Sequence, residues 1–184
     1  MKRVLSVFIA PMMALCIASC GGSGSGSGKS SANTGSNTIV AASANDKGND
    51  KAYTATITPA DGWIKKEGAA VPMFEKEGST VILKTEMIPA SCKTPEEFVA
   101  FVQGKLKEVS PYRDGTFSPT LKTIVGGMDA LEFSVTTTIR NMPFKSKMIY
   151  ICKGSSAYTI TCSSMNYDEL NDEFQRMIHS YSLN

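Results

Sequence analysis

The chain has 184 residues, of which 42% are hydrophobic and 20% are charged, and it carries 19 basic against 17 acidic side chains. A folded part of about 130 residues is enough for one domain with its own core. The near balance of charge argues against a nucleic-acid-binding protein, which needs a basic face, and against a polybasic membrane patch.

Residues 1–19 read as a secretory signal peptide, with Lys2 and Arg3 before a short apolar stretch that ends in small residues. This stretch is too short to span a bilayer, which takes about 20 apolar residues. Residues 17–20, Ile-Ala-Ser-Cys, resemble a bacterial lipobox, whose cysteine is diacylated and becomes the new N-terminus. The resemblance implies that Cys20 is lipidated and holds the protein on a membrane, since two acyl chains anchor stably.

Residues 20–52 are predicted to hold the lipidated cysteine and a flexible tether. The range is rich in Gly, Ser, Asn and Ala and shows no core-forming pattern. Within it, Gly28, Lys29 and Ser30 look like the end of a phosphate-binding P-loop. Ser23 stands where that motif needs its first Gly, and no strand–turn–helix pattern surrounds the run. We therefore predict no nucleotide site and no other cofactor.

The folded domain is predicted to span residues 53–184 and to begin with strands. Residues 53–58 alternate and are rich in Thr, Tyr and Ile, which indicates a strand, and Trp63 follows a turn at the expected core edge. Residues 71–88 read as two strands joined by a hairpin turn at residues 77–78.

Two amphipathic helices are predicted, one within the domain and one at its end. The first covers residues 94–109, with Thr94 as N-cap, Pro95 at the first helical position and Glu97 completing a capping box. The second begins at an Asn166 N-cap. Each carries one apolar stripe at helical spacing, which we expect to face the core. The stripes are Phe98, Phe101, Val102, Lys105, Leu106 and Val109 in the first helix and Leu170, Phe174, Met177, Ile178 and Tyr181 in the second.

Residues 116–163 read as strand after strand with short turns, which predicts an antiparallel meander. One of these turns is predicted in residues 141–144. It would place Met142, Pro143 and Phe144 at a hairpin tip, where polar residues are the norm. Such residues either pack against a neighbouring loop or, if exposed, form a small anchor for a protein partner.

The cysteines of the folded domain, Cys92, Cys152 and Cys162, are odd in number and show neither a CxxC pair nor a metal-binding spacing. A turn at residues 154–156 would pair residues whose numbers sum to about 310, which puts Cys162 opposite Met148 and too far from Cys152 for a bridge. Cys152 and Cys162, which both have even numbers, would then lie on the core face as buried free thiols.

No motif for catalysis or metal binding stands out in the sequence. His179 is the single histidine, and its position opposite the apolar stripe of the last helix predicts an exposed side chain. No GxSxG, HExxH or EF-hand pattern occurs. Two carboxylates could still meet in a cleft, so a hydrolytic enzyme is kept as the third hypothesis, after two non-catalytic ones.

Several of these stretches resemble the PsbP-like superfamily. They are "PADGW" after the first strand, the capped helix, the turn at residues 126–127 before "DALEFSV", and "AYTITCSS" before a closing helix that ends "IHSYSL". The resemblance covers residues 53–184 and implies an α/β/α sandwich around a mostly antiparallel sheet. The order of the elements also predicts an α+β domain by itself. The superfamily includes the extrinsic photosystem II protein, a yeast Ran-binding import protein and bacterial envelope lipoproteins.

Superfamily members of known role act as binding or assembly factors, and no shared catalytic residue can be carried over. The resemblance therefore implies a non-catalytic lipoprotein, anchored on the extracytoplasmic side of a membrane, that binds an envelope protein or supports a complex. The alternative is a carrier or sensor of a small apolar ligand. An apolar cavity of about 300 Å³ or more would favour the carrier, and an exposed apolar patch on a packed core would favour the protein binder.

Overall fold

The computed structural model describes residues 39–42 and 53–184, which form strands and two helices and confirm the α+β class. The strands are β1 (Ile39–Ala42), β2 (Thr54–Ile57), β3 (Ile64–Lys65), β4 (Met73–Lys76), β5 (Ser79–Met87), β6 (Thr116–Phe117), β7 (Leu121–Val125), β8 (Met128–Ile139), β9 (Met142–Lys153), β10 (Ser156–Ser164) and β11 (Ser182–Leu183). The helices are α1 (Pro95–Leu106) and α2 (Asn171–His179).

The larger sheet has the strand order β3-β4-β5-β10-β9-β8-β6, and β7 pairs with the remaining part of β8. All its pairs are antiparallel, and β7, β8, β9 and β10 follow one another as the predicted meander. A small sheet of order β1-β2-β11 joins the start of the domain to its end. The chain reaches β10 beside β5 only after α1 and four further strands, so the central pairing is non-local.

Two-residue turns close the hairpins. Three of them have positive φ at both residues, as type I′ turns require: residues 77–78 (49° and 79°), 126–127 (58° and 76°) and 140–141 (52° and 64°). In the turn at residues 154–155, Gly154 has φ of 60°, which fits the first position of a type II′ turn. The predicted turns at residues 77–78 and 126–127 are confirmed.

The turn predicted in residues 141–144 is wrong. Arg140 and Asn141 form the turn, and Met142 is already paired with Ile139 in the ladder of β8 and β9. Pro143 lies near the start of β9, a position where a strand tolerates proline.

Helix α1 starts as predicted, because the Thr94 side chain accepts a hydrogen bond from the Glu97 amide at 3.1 Å. The Glu97 carboxylate accepts from the Lys93 amide at 2.6 Å and not from the Thr94 amide, so the capping box is shifted by one residue. The helix ends at Leu106, three residues before the predicted Val109. Its buried side chains are Phe98, Val99, Val102 and Leu106.

Helix α2 begins at Asn171, so the predicted Asn166 N-cap is wrong. Residues 165–170 form bends and turns, and the Asn166 amide donates to the Ser164 hydroxyl at 2.8 Å. The predicted stripe is nevertheless confirmed in place, since its last four members are buried and Leu170 packs against them half-buried. The four are Phe174, Met177, Ile178 and Tyr181.

The core lies on both faces of the larger sheet. On one face, Phe98 of α1 meets Tyr150 edge to face with ring centroids 5.8 Å apart, and Tyr150 stacks on Phe133 at 6.0 Å. Ile149, the strand neighbour of Tyr150, points to the other face and belongs to the core that contains Phe174 of α2. Trp63, the predicted edge anchor, is buried in that second core.

The cysteines are free, as predicted, but the register is shifted by one residue. Cys162 lies opposite Lys147 and Cys152 lies opposite Ala157, because the turn after β9 has two residues and not three. Paired residues of β9 and β10 therefore have opposite parity, which puts Cys152 and Cys162 on opposite faces of the sheet. Cys162 is buried, whereas Cys152 is half-buried, so the prediction of two buried thiols holds for Cys162 alone.

Strand β1 lies inside the range 20–52 that was predicted to be tether. It pairs antiparallel with β2, with Ile39 opposite Ile57 and Ala42 opposite Thr54.

None of the helices within residues 53–184 is long and apolar enough to cross a membrane.

Candidate functional site

The free end of the β8–β9 hairpin carries the candidate contact residues. Ile139 is paired with Met142 and Thr137 with Phe144, so these side chains share one face of the hairpin. Met142 is 47% exposed, and Ile139 and Phe144 are half-buried. We call Ile139, Met142 and Phe144 the hairpin face.

Pro143 does not belong to this face. It lies opposite Thr138 and points, like Thr138, to the other side of the hairpin. The three residues that the sequence placed together at a loop tip are thus divided between two faces. Ile139 is the member that the sequence reasoning missed, and pairing β8 with β9 across residues 140–141 would have found it.

The hairpin face is held by hydroxyl contacts at its base. The Thr137 hydroxyl donates to the Pro111 carbonyl at 2.7 Å, which fixes the segment after α1 against the hairpin. Below it, the buried hydroxyls of Ser146 and Ser163 are 2.8 Å apart. Burial raises the pKa of Tyr112, which also hydrogen-bonds to Ser146. The face therefore stands on a packed base with satisfied polar groups.

A shallow depression of about 270 Å³ lies beside the hairpin face, lined by Ser110, Pro111, Asp114, Thr137 and Thr138. A second one of about 270 Å³ lies at the other helix, lined by Thr58, Pro59, Ala60, Asp61, Arg176 and Ser180. Both are open to solvent and carry polar side chains, unlike the deep apolar cavity expected of a carrier.

A cluster of titratable side chains, separate from the hairpin face, lies on the face of the sheet that packs against α2. Lys147 Nζ donates to Glu132 Oε1 at 2.9 Å, and both side chains are 19% exposed. Tyr167 and Cys162 are near this pair. Burial, followed by the charges of Cys162, Glu132 and Asp168, raises the pKa of Tyr167. Burial also raises the pKa of Cys162 to about 12, against a small opposing effect of Lys147.

The raised pKa values keep Cys162 and Tyr167 of this cluster protonated, and the protonated forms are poor nucleophiles. A thiol reacts as thiolate, and a neighbouring base or a lowered pKa is what activates it. Cys152 on the opposite face is no better placed, since burial and then the charges of Glu96 and Glu86 raise its pKa to about 11.

The carboxylates with shifted pKa are shifted toward the ionised form. The pKa of Glu173 is lowered mainly by the hydrogen bond from Lys76, which donates at 2.8 Å, and further by Trp63. The pKa of Glu96 is lowered by its backbone hydrogen bond and then by Lys122. A general acid needs the opposite shift.

His179 is exposed, as predicted. Within residues 53–184, no three potential metal ligands of the His, Cys, Asp or Glu type come together. The predicted lipidation site, Cys20, lies outside the described residues and stays a prediction.

No family model and no curated protein matches the chain. Solved structures that are similar to it include the following two. Cyanobacterial PsbP (CyanoP) from Synechocystis sp. PCC 6803 aligns at 14% identity and a TM-score of 0.54 over 85% of this chain and 98% of its own. LpqN, involved in cell envelope biogenesis of Mycobacterium tuberculosis, aligns at 13% identity and a TM-score of 0.54 over 79% of this chain and 89% of its own. The predicted PsbP-like fold is confirmed.

Proposed function

We propose that this PsbP-like domain is the folded part of a bacterial envelope lipoprotein and works by binding another envelope protein, without turnover of its own. The observation that carries the proposal is the hairpin face, where Met142 is exposed on a packed and hydrogen-bonded base. The similarity of fold to LpqN, a protein of cell envelope biogenesis, supports the compartment.

The anchor in this proposal is a diacylated Cys20, which places the domain on the extracytoplasmic side of a membrane. In the same proposal the domain is an α/β/α sandwich, with α1 and α2 on opposite faces of the larger sheet. The contacts of Phe98 with Tyr150 and of Phe174 with the core around Ile149 support that arrangement.

Two observations favour protein binding over the other hypotheses. Two depressions on the described surface are open to solvent and each is lined in part by charged or hydroxyl side chains, which does not suit a carrier of an apolar ligand. The thiols Cys152 and Cys162 have raised pKa values, which does not suit a thiolate nucleophile, and the carboxylates Glu96 and Glu173 have lowered ones, which does not suit a general acid.

Crosslinking of the native lipoprotein in its own envelope tests the proposed function. We expect one reproducible protein partner, which is lost when Met142 and Phe144 are both changed to Ser. The control changes Leu121 and Ile124 to Ser, since they are large apolar side chains that are 58% and 62% exposed but lie on β7. If a lipid or metabolite co-purifies and no protein partner is found, the protein-binding hypothesis is wrong and the carrier hypothesis takes its place.

The anchor is tested separately by Cys20→Ala. We expect the variant to leave the membrane fraction, and continued flotation of an acylated protein would contradict the lipidation site.

A further inference from the structure

Three cations beside the hairpin face have no carboxylate partner. Eight lysines within residues 53–184 are ion-paired with Asp or Glu. Lys107, Arg113 and Arg140 are exposed and absent from these pairs. Lys107 Nζ lies 5.1 Å from the ring centroid of Phe117, and Arg113 Nη2 donates to the Glu108 carbonyl at 3.1 Å. Each cation therefore keeps donors available to a partner.

The fold places these three cations along the part of β8 that leads to the hairpin turn. Arg140 is the first turn residue between Ile139 and Met142. Arg113 belongs to the segment whose Pro111 carbonyl accepts from Thr137. Lys107 lies over Phe117, which is paired with Val135 of β8. In sequence they are spread over 34 residues, so only the tertiary structure brings them together.

The charge of this region is positive and its surface is concave. Asp114 is the one acidic side chain that lines the depression beside the hairpin face. The remaining lining residues are Pro111 and three residues that carry hydroxyls, Ser110, Thr137 and Thr138. Hydroxyl groups both donate and accept, which suits the polar groups of an extended peptide backbone.

We propose that the hairpin face, the depression and the cations Lys107, Arg113 and Arg140 form one recognition surface for an acidic, apolar protein segment. An apolar side chain of that segment packs on Met142 and Phe144, and its flanking carboxylates pair with Arg113 and Arg140. The arginine fork holds carboxylates in a bidentate way, so it selects for Asp and Glu. Lys107 adds a long-range attraction that speeds association.

A protein segment fits this surface better than an anionic membrane. A flat bilayer would leave the depression unfilled and would bring Asp114 close to negative headgroups. The inference rests on the proposed function and deepens it, because it states which partner chemistry the hairpin face selects.

The test uses the purified full-length lipoprotein in detergent micelles and fluorescent synthetic peptides. One peptide carries a Phe-Leu centre flanked by Asp and Glu, a second has the same centre flanked by Lys, and a third has the acidic flanks with a Ser-Ser centre. Fluorescence anisotropy gives each Kd at two salt concentrations. Vesicles of phosphatidylcholine with and without phosphatidylglycerol serve as the membrane probe.

We expect the acidic Phe-Leu peptide to bind at least about tenfold more tightly than either other peptide, and more weakly at high salt. The double variant Arg113→Glu with Arg140→Glu should lose this preference and favour the lysine-flanked peptide. Arg176→Glu, an exposed cation at the other depression, is the matched control and should change nothing. Circular dichroism confirms that each variant is folded.

Equal affinity for acidic and basic peptides, or no binding of the acidic peptide up to about 1 mM, would overturn the inference. So would hairpin-dependent binding to the phosphatidylglycerol vesicles in place of the peptide, because it would assign the surface to lipid. The two proposals can fail separately. If the peptide test fails but wild-type protein still crosslinks to a protein partner and the Met142 and Phe144 variant does not, protein binding stands and only the acidic, apolar character of the partner is wrong.

Discussion

Tyr167 is a buried side chain with an unsatisfied polar group. Its ring lies 4.8 Å from the ring of Phe174 and 4.7 Å from Lys145 Nζ, yet its hydroxyl is buried without a hydrogen-bond partner. Such a hydroxyl loses its hydration on folding and gains nothing in return. The packing of the Tyr167 ring therefore stabilises the folded protein, whereas burial of its unpaired hydroxyl destabilises it.

We therefore expect Tyr167→Phe to leave the free energy of unfolding unchanged or to raise it by about 1 kcal/mol. The matched control Tyr112→Phe removes a buried hydroxyl that does have a partner, Ser146, and should lower stability by about 1 kcal/mol. Urea unfolding measures both. A loss at Tyr167→Phe as large as at Tyr112→Phe would mean that a hydrogen-bond partner exists.

The buried thiol of Cys162 makes stability depend on alkaline pH. Its pKa rises from the ordinary 9.0 to about 12 on folding, so above pH 9 the unfolded chain releases a proton that the folded protein keeps. This contribution is intact below pH 9 and is lost as the pH approaches 12. We expect wild-type protein to lose more stability than Cys162→Ala between pH 9 and pH 11.

Peptide mapping gives the same thiol a second test. Cys162 should resist alkylation at pH 8 in the folded protein, and no bridge to Cys152 should appear without reductant, because the two lie on opposite faces of the sheet. Fast alkylation, or a bridged peptide, would contradict the observed register.

At the level of elements, local signals predicted most of the fold. The Thr94 cap of α1, the alternation within the strands and the glycine-containing turns at residues 77–78 and 126–127 each depend on neighbouring residues, and they were found in place. The missed features depend on distant partners. The strand β1, for example, forms only by pairing with β2.

The candidate site was predictable only in the part that depends on neighbouring residues. Exposure of Met142 could be suspected from an apolar residue in polar turn chemistry. Recognising that Met142 shares a face with Ile139 and Phe144 requires the register of β8 against β9. A shift of the turn by one residue would move these side chains to the other face of the hairpin. Arg140 adjoins the hairpin in sequence, but Arg113 could not be linked to the site, since it belongs to a segment far along the chain that contacts β8 through Pro111 and Thr137.

The Thr94 cap offers a test of the α1 boundary. Thr94→Ala removes the acceptor of the Glu97 amide and should lower the free energy of unfolding by about 1 kcal/mol. Ser91→Ala, an exposed change in the same loop, is the control and should stay within about 0.5 kcal/mol of wild type. Equal effects in denaturant unfolding would show that the cap does not stabilise α1.

The hairpin turn offers a second test. Asn141 has φ of 64°, a conformation that glycine adopts without steric cost, so Asn141→Gly should keep the turn and preserve stability within about 0.5 kcal/mol. Asn141→Val, which is β-branched, should lower stability by about 1 kcal/mol or more. Thermal unfolding distinguishes the two, and a tolerated valine would place the turn elsewhere.

On the scale of the whole molecule, the tether and the domain define where a partner can be met. If the chain between Cys20 and Ile39 is a flexible coil, as its composition predicts, its root-mean-square reach is about 24 Å. Counted to Tyr53, without β1, the reach would be about 32 Å. In the proposed lipoprotein, pairing of β1 with β2 would therefore shorten the tether and favour partners beside the membrane.

The measurement that tests the central claim most directly is site-specific photo-crosslinking in the intact envelope. A photoreactive amino acid replaces Met142 in one strain and Leu121 in another, two exposed positions of which the first lies beside the β8–β9 turn and the second on β7. Our account predicts a single protein adduct from position 142, absent from position 121 and lost with Cys20→Ala. Identical adducts from both positions, or adducts from position 142 with lipid alone, would contradict it.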